Sequence, residues 1–266
     1  MRHYVLPDHY DGSGYLELSV DESRYLTRVL RKRPGDSFDG VDPNGNRVSV
    51  TIRQAAADRC ILEISHANAA EKPDGPQATG ESAGSRLALT LFQCIPKANK
   101  MDLIVRQAVE SGVERIVPIQ SEHAVAKIDM NGFEKKRDRW LRIARQAMQQ
   151  SGREIPPEIT TPATVSQLPE IWREHSGQNG VCLFFHEKPV AAATLHSLLS
   201  SRPGTVGICI GPEGGFSRGE VENLLNSGVQ PVYINTNVLR TETAALYAVA
   251  AVQTVILEKD TWSISQ

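Results

Sequence analysis

The chain has 266 residues, of which 40% are hydrophobic and 23% are charged, a composition typical of a globular protein with one or two domains. The formal net charge of -2 argues against a protein that coats nucleic acid through its overall charge, so any RNA contact must come from local patches. No apolar segment is long enough to cross a bilayer, and residues 1–8 lack the apolar core of a secretory signal, so we expect a cytoplasmic protein without a membrane partner.

The N-terminal residues 1–68 have the pattern of a small β-barrel crossed by one helix. Four alternating or β-branched segments predict strands, and these are His3–Pro7, Tyr15–Ser19, Arg47–Arg53 and Cys60–Ser65. Helical spacing between the second and third segments is shown by Tyr25, Leu26, Val29 and Leu30. A first basic patch on this stretch consists of Arg24, Arg28, Arg31, Lys32 and Arg33. The patch makes the domain a candidate RNA-docking module, and a solvated helix face is the alternative interpretation.

Residues 69–86 predict a linker, because they are rich in Gly, Pro, Ala and Ser and contain no large apolar side chain. After it, residues 87–266 alternate apolar strands with helical patterns. The predicted strands are Leu87–Ile95, Arg115–Ile119, Val181–Phe185, Val206–Ile210 and Val232–Ile234. The predicted helices are Met101–Ser111, Phe133–Gln150, Val190–Ser200, Arg218–Ser227 and Thr243–Leu257. This order predicts an α/β domain with a mostly parallel sheet, in which ligands bind at the carboxyl ends of the strands.

A second basic patch lies on the predicted helix Phe133–Gln150. Its members are Lys135, Lys136, Arg137, Arg139, Arg142 and Arg145. An RNA contact and a solvated helix face are both compatible with this pattern.

The cysteines and histidines indicate neither disulfides nor a metal site. The four cysteines lie in separate apolar segments without a CxxC pair, and they are Cys60, Cys94, Cys182 and Cys209. This distribution predicts buried free thiols in a reducing compartment. The seven histidines have no metal-ligand spacing, so we expect no metal.

A glycine-rich turn follows the predicted strand Val206–Ile210. It reads Gly211-Pro212-Glu213-Gly214-Gly215 and leads into Ser217 and Glu220, a capping box that opens a helix. Glycines here allow close backbone approach to a ligand, and a purely structural tight turn is the alternative. The turn lacks the Lys-Ser/Thr of a phosphate-binding P-loop and the spacing of GxGxxG, which argues against ATP and NAD.

A second motif, at Val238–Leu246, combines Arg240 and Glu242 with a helix start rich in alanine. The two charged residues are candidates for chemistry, and a simple ion pair between them is the alternative. The small side chains permit close packing against a neighbouring loop or a second subunit.

Taken together, IGPEGGFS at Ile210–Ser217 and VLRTETAAL at Val238–Leu246 resemble the SPOUT methyltransferases. Within that superfamily they are similar to the family that makes 3-methyluridine in bacterial small-subunit ribosomal RNA. Three further segments are similar to other blocks of that family, namely Thr27–Asp36, Pro96–Val113 and Arg139–Arg153. The resemblance therefore covers nearly the whole chain except the linker.

The resemblance implies an S-adenosylmethionine-dependent enzyme that methylates N3 of one uridine in 16S ribosomal RNA, with the assembled small subunit as the expected partner. It also implies a PUA-like N-terminal barrel, a C-terminal domain with a deep trefoil knot, and a homodimer with the cofactor in the knot. A SPOUT enzyme acting on another RNA base and a catalytically inactive RNA-binding protein are the alternative functions.

The resemblance further implies which residues form the site. Three loops are expected to hold the cofactor, through Phe185, His186, Glu187, Ile210, Gly211, Pro212, Glu213, Gly214, Gly215, Ile234, Asn235, Val238, Leu239, Thr243 and Ala244. Arg240 and Glu242 are the expected catalytic residues. The expected RNA contacts are Arg2, Arg28, Arg31, Lys32, Lys97 and Arg153. The chain departs from the family pattern at His123, Gln146, Asn235 and Asn237, which affects RNA contacts more than cofactor binding.

The chemistry that this implies is attack of the uracil N3 on a sulfonium methyl group, without a metal. The imide proton has a pKa of about 10, like a phenol, whereas an ordinary Glu has a pKa near 4.3, so proton transfer to an unperturbed carboxylate is uphill by roughly 8 kcal/mol. A cation that stabilises the uracil anion removes this obstacle, and Arg240 is the candidate. Glu242 is expected to orient Arg240 or to act as the base, with His123 and His186 as weaker bases.

Overall fold

The computed structural model describes residues 3–7, 9–56, 58–66, 87–124, 130–190 and 193–261. The chain divides into two units, one comprising Met1–Gly80 with Met148–Pro156 and the other comprising Glu81–Ala147 with Pro157–Gln266. The predicted linker 69–86 and the predicted RNA contact Arg2 lie outside the described residues.

The first unit contains the strands β1 (Tyr4–Val5), β2 (Tyr15–Glu17), β3 (Ser37–Val41), β4 (Arg47–Ala55) and β5 (Cys60–His66). They form one sheet in the order β1-β3-β4-β5-β2, with β1 and β3 parallel and the other neighbours antiparallel. Helix α1 (Val20–Arg24) continues as a π-helical segment (Tyr25–Val29) between β2 and β3. The predicted strands and helix of this unit are therefore confirmed, and among the described residues the sheet is open, with β1 and β2 at its edges.

The sequence does not predict β3, because Asp39 and Gly40 are both unfavourable in strands. The packing explains the glycine. A Cβ atom at Gly40 would lie 2.7 Å from Cγ2 of Val50 on the paired strand β4, so any larger residue would force the two strands apart.

The second unit contains the strands β6 (Ala88–Cys94), β7 (Arg115–Gln120), β8 (Glu158–Ile159), β9 (Ala163–Thr164), β10 (Gly180–Phe185), β11 (Thr205–Ile210) and β12 (Gln230–Val232). Their order is β12-β10-β11-β6-β7-β8, with β9 also paired to β7, and every pair is parallel. The α/β class with a mostly parallel sheet is thus confirmed.

Helices alternate with these strands, as in other parallel sheets. They are α2 (Lys100–Glu110), α3 (Met130–Ser151), α4 (Leu168–His175), α5 (Leu195–Leu198), α6 (Arg218–Asn226) and α7 (Thr241–Thr261). None of the helices in the described ranges is long and apolar enough to cross a membrane.

Several helices of this unit differ from the sequence prediction, among them α3, which begins three residues before the predicted start at Phe133. Helix α4 is missing from it, because this helix is only eight residues long and Pro169 resembles a break, although proline is tolerated in a first helical turn. Of the predicted helix Val190–Ser200, the described residues form only the short helix α5, whose N-terminus is capped by Thr194, and residues 191–192 lie outside the described part of the chain. Helix α7 begins at Thr241, two residues before the predicted start.

The core of the second unit lies on both faces of the sheet. On one face, Trp172 of α4 packs edge-on against Phe92 of β6 with the ring centroids 6.4 Å apart. A Cβ atom at Gly207 in β11 would lie 2.9 Å from this indole ring, so the glycine lets α4 approach the sheet. On the opposite face, α2 and α7 pack against each other and cover Leu91 of β6.

Candidate functional site

Three loops meet at the carboxyl end of the sheet, where β12, β10 and β11 are direct neighbours. Phe185, the last residue of β10, is paired with Ile210 of β11 on one side and with Val232 of β12 on the other. The loops 186–190, 211–217 and 233–240 therefore leave the sheet side by side. We call this arrangement the three-loop site. Most of the residues that the sequence predicts to hold a cofactor lie in these loops or at the strand ends before them, and Thr243 and Ala244 follow in the first turn of α7.

The glycine-rich turn of the second loop is closed by its own backbone. The amide of Gly215 donates to the carbonyl of Pro212 at 2.9 Å, and Gly215 has a φ of +68°, which favours glycine. A Cβ atom at Gly211 would lie 3.3 Å from the Phe216 ring, and one at Gly214 would lie 3.3 Å from Cβ of His123. Side chains at these positions would crowd the turn, so the turn presents bare backbone.

Glu220 attaches a fourth segment, residues 121–124, to this turn. Its buried carboxylate caps α6 by accepting from the Ser217 amide at 2.8 Å, as the predicted capping box requires. The same carboxylate accepts from the Ser121 hydroxyl at 3.2 Å and from the Glu122 amide at 2.9 Å. His123 is thereby held with Nδ1 3.3 Å and 3.2 Å from the carbonyl oxygens of Gly214 and Gly215.

The start of α7 is attached to the same turn through two buried polar residues. The Thr241 hydroxyl donates to the carbonyl of Gly211 at 2.8 Å and accepts from Nε2 of Gln93 at 3.1 Å. Gln93 is completely buried near the end of β6. Neither residue was predicted from the sequence, and the available signal was a glutamine in the mostly apolar strand β6.

Lys100, at the start of α2, contacts two acidic residues, Glu213 of the glycine turn and Glu242 of α7. Its Nζ lies 2.7 Å from Oε1 of Glu213 and 3.4 Å from Oε2 of Glu242. Glu213 also accepts from the backbone amide of Lys97 at 3.2 Å. Lys100 was not predicted as a site residue, because a lysine at the start of a helix has no sequence pattern that distinguishes it from other surface lysines.

This contact shifts the pKa values of both partners apart. The hydrogen bond to Glu213 raises the pKa of Lys100. Burial opposes ionisation of Glu213, but the hydrogen bonds from Lys100 and from backbone amides together lower its pKa. The ion pair is therefore lost only when the pH falls below the usual carboxylate range or rises above the usual lysine range, and it persists at neutral pH.

Arg240 does not form the ion pair with Glu242 that the sequence left open. Its side chain is exposed, and its guanidinium makes no ion pair or hydrogen bond with any residue that the structure describes. Glu242 instead faces Lys100, because helix α7 turns successive residues in different directions. In this structure Glu242 therefore does not contact Arg240 directly.

The other residues predicted for the site differ in exposure. Glu187, Asn235, Val238 and Thr243 are exposed, whereas Ile234, Leu239 and Ala244 are half-buried. Among the expected RNA contacts, Arg28, Arg31 and Lys97 are exposed, and Lys32 lies over the Phe38 ring with Nζ 5.1 Å from its centroid.

Arg153, another expected RNA contact, is only 9% exposed, and its Nε donates to the carbonyl of Ile155 at 2.7 Å. Its backbone carbonyl contacts Nε2 of His3 at 2.8 Å. These contacts indicate that Arg153 connects parts of the first unit and leave little of its side chain for RNA.

The cysteines are buried free thiols, as predicted. Burial raises the pKa values of Cys94, Cys182 and Cys209, so their thiols stay protonated at neutral pH. Within the described ranges, no three His, Cys, Asp or Glu side chains converge as the ligands of a metal ion do.

A parallel sheet with a glycine-rich loop site at its carboxyl end defines a ligand-binding α/β domain. The sequence matches the RNA methyltransferase domain family over residues 83–253. The chain belongs to this family.

Curated relatives with a common name support a finer assignment. A ribosomal RNA small subunit methyltransferase E from Buchnera aphidicola subsp. Schizaphis graminum is 34% identical over 238 residues, covering 90% of this chain and 89% of the relative. The protein of the same name from Bacillus subtilis is 26% identical over 250 residues, covering 91% and 92% of the two chains.

Solved structures agree in fold over nearly the full length. A ribosomal RNA small subunit methyltransferase E from Neisseria gonorrhoeae, bound to S-adenosylmethionine, is 27% identical with a TM-score of 0.75, covering 96% of this chain and 98% of the other. A methyltransferase from Legionella pneumophila in complex with S-adenosylmethionine is 27% identical with a TM-score of 0.76, covering 95% and 97%. The predicted resemblance is confirmed.

Proposed function

We propose that this protein transfers a methyl group from S-adenosylmethionine to N3 of one uridine in small-subunit ribosomal RNA. The observation that carries the proposal is the three-loop site, in which a bare glycine turn, the start of α7 and an unpaired arginine lie together in an RNA methyltransferase domain. The named relatives and the two cofactor-bound structures support the substrate class and the cofactor.

The residues of the three-loop site are chemically suited to the cofactor. The glycines of the turn Gly211–Gly215 leave much of its backbone uncovered by side chains, so an adenine can approach this backbone closely. The half-buried Ile234 and Leu239 and the exposed Val238 offer apolar contacts. The remaining residues that would line the cofactor are Phe185, His186, Glu187, Ile210, Asn235, Thr243 and Ala244.

Arg240 is the residue that we propose to act on the substrate. S-adenosylmethionine, when bound, supplies a methyl group activated by its sulfonium charge. The uracil must lose its N3 proton to become a nucleophile, and a free guanidinium beside it would stabilise the resulting anion. Since Arg240 is unpaired among the described residues, its charge is available for this purpose.

The contacts of Glu242 and of the nearby histidines bear on which group accepts the N3 proton. Its carboxylate is engaged by the Lys100 ammonium, with Oε2 3.4 Å from Nζ. His123 contacts backbone carbonyls of the glycine turn, and His186 contacts the backbone of Lys188. We infer that proton loss depends on stabilisation of the uracil anion by Arg240 rather than on a strong base in the site.

The first unit is the proposed RNA-docking module, with the topology of a PUA-like barrel. Its five-stranded sheet and the helix between β2 and β3 support this assignment. Arg28 and Arg31 are exposed, so their charges can reach RNA phosphates, which provide affinity and register without sequence information. The target base must be unpaired, because N3 is occupied in a Watson–Crick pair.

A trefoil knot is the proposed threading of the second unit. Strand β12 lies at one edge of the sheet, yet the following helix α7 packs against α2 and contacts β11. At the crossing, Thr241 is hydrogen-bonded to Gly211 and to Gln93 of β6. Such a knot requires the end of the chain to pass through a loop formed by earlier residues. Knots of this kind are rare in proteins.

We further propose a cytoplasmic homodimer formed through α7. Between Thr243 and Leu257 the exposed residues of this helix are all uncharged, and they are Thr243, Leu246, Tyr247, Ala250, Thr254 and Leu257. An uncharged helix face with large apolar residues is typical of a partner surface. Assembled ribosomal subunits, the proposed substrate, are cytoplasmic.

The test uses small ribosomal subunits that lack the modification, incubated with purified protein and labelled S-adenosylmethionine. Nuclease digestion and mass spectrometry should identify 3-methyluridine. Replacement of Arg240 by Ala should lower kcat by about 100-fold or more, the scale seen when one transition-state charge contact is removed, while cofactor binding persists. Arg240→Lys should recover part of the rate. Another methylated nucleoside would contradict the substrate, and an unchanged Arg240→Ala rate would contradict the role of Arg240.

A further inference from the structure

Lys100 joins two parts of the three-loop site that are distant in sequence. Glu213 belongs to the glycine turn after β11, and Glu242 belongs to the first turn of α7. Lys100 itself opens α2 on the face of the sheet that α7 covers. Through one ammonium group, three segments of the second unit are connected at the edge where the loops leave the sheet.

The burial of these groups distinguishes them from an ordinary surface ion pair. The side chains of Lys100, Glu213 and Glu242 are 31%, 24% and 13% exposed, whereas the surface pair of Arg218 and Glu222 is 92% and 56% exposed. Exposed pairs contribute little because water screens them, and that screening is reduced around Lys100. The electrostatic attraction between this ammonium and the two carboxylates is therefore stronger than in an ion pair made by a fully exposed lysine.

Glu242 depends on Lys100 for compensation of its charge. Its Oε2 atom is buried and makes no hydrogen bond with any described group, and the ammonium at 3.4 Å is the cation beside it. A buried carboxylate without a hydrogen-bond partner is costly unless a cation lies close. Without Lys100, no ammonium would lie between the two carboxylates. Their mutual repulsion would then favour a displacement of Glu213 and Glu242 away from each other.

We propose that Lys100 is a positioning residue that holds the glycine turn and the start of α7 in the geometry that binds S-adenosylmethionine. The inference rests on the proposed function and assigns to this site a residue outside the predicted set. Lys100 acts through Glu213 and Glu242, and its role is to keep two cofactor-binding segments at a constant separation before the cofactor arrives.

The test measures S-adenosylmethionine binding to the full-length protein by calorimetry, together with KM and kcat on ribosomal subunits. Lys100→Met should weaken cofactor binding about tenfold, the usual scale of coupling between contacting residues, and raise the KM for the cofactor more than it lowers kcat. Lys100→Arg keeps the charge and should recover most of the affinity. A purely structural role would lower the melting temperature and leave the affinity of the folded protein unchanged.

A matched control is Arg59→Met, which removes a cation from the ion pair with Glu17 in the first unit and should leave cofactor binding unchanged. Glu213→Gln breaks the same contact as Lys100→Met with little change in volume, so it gives the answer if Lys100→Met does not fold. The losses of Lys100→Met and Glu213→Gln should not add in the double variant.

The outcomes separate this inference from the proposed function. Cofactor binding that is equal in wild type, Lys100→Met and Glu213→Gln would overturn the positioning role while leaving the methyltransferase intact. A wild-type protein that binds no S-adenosylmethionine would overturn the proposed function and this inference with it.

Discussion

Glu220 has two roles, only one of which is visible in the sequence. The Ser-x-x-Glu spacing predicts the helix cap on α6, and the cap is formed. The bonds from the Ser121 hydroxyl and the Glu122 amide join residues about a hundred positions away in the chain. No local pattern contains such a contact, because it depends on β7 lying two strands from β11 in the sheet.

At the residue scale we predict that Glu220→Gln lowers the free energy of unfolding by about 1–3 kcal/mol, the cost of leaving a buried hydrogen-bond donor unsatisfied. The amide nitrogen of Gln cannot accept from the amides and the hydroxyl that face Glu220. Urea denaturation followed by circular dichroism would measure the change.

The control for this prediction is Glu222→Gln on the same helix, which breaks only the exposed pair with Arg218 and should cost under about 0.5 kcal/mol. Equal losses in the two variants would contradict the idea that Glu220 is set apart by its buried contacts.

At the scale of elements, the predictions succeeded where the pattern of a segment is long and regular. The strands β6, β7, β10 and β11 are buried, apolar and within a residue or two of their predicted bounds. The short elements β3 and α4 were not predicted, because their stability depends on tertiary packing rather than on local preference. Strand β3 packs against Val50 and helix α4 packs against Phe92.

The exposed face of helix α7 should decide the oligomeric state of the protein. We predict that Leu246→Glu converts the proposed dimer to a monomer, because the twofold axis of such an interface brings two like charges close together. Light scattering coupled to size-exclusion chromatography would measure the molar mass.

Leu225→Glu on α6 is the matched control, since Leu225 and Leu246 are both 37% exposed and the intrinsic cost of the new charge should be similar. Loss of the dimer in both variants, or in neither, would contradict an interface on α7.

At the scale of the whole molecule, the chain divides its tasks between two units. The second unit carries the three-loop site, and the first carries exposed cations beside an open sheet. With a net charge of -2, the molecule as a whole gives RNA no electrostatic attraction, so binding must depend on a small number of local contacts.

We therefore predict that the double variant Arg28→Gln/Arg31→Gln weakens RNA binding and flattens its dependence on salt. Each lost phosphate contact should lower the slope of log K against log salt by about 0.7–0.9, so the two together should lower it by roughly 1.5. Filter binding or fluorescence anisotropy at several salt concentrations would measure the slope.

Arg59→Gln removes a cation of the same unit that is already paired with Glu17, and its slope should match wild type. An unchanged slope in the double variant would exclude Arg28 and Arg31 from the RNA contact.

The sequence by itself determined the class of fold, the parallel sheet, the buried thiols, the helix cap at Ser217 and the family, because these depend on periodicity, local hydrogen bonding or uninterrupted motifs. Only the tertiary structure decided the partners of the charged residues. It joined Glu242 to Lys100 instead of Arg240, buried Arg153, and placed Gln93 and Thr241 beneath the glycine turn. The contacts of Lys100 with Glu242 and of Gln93 with Thr241 connect positions more than a hundred residues apart. They exist because neighbouring strands of a parallel sheet need not be neighbours in sequence.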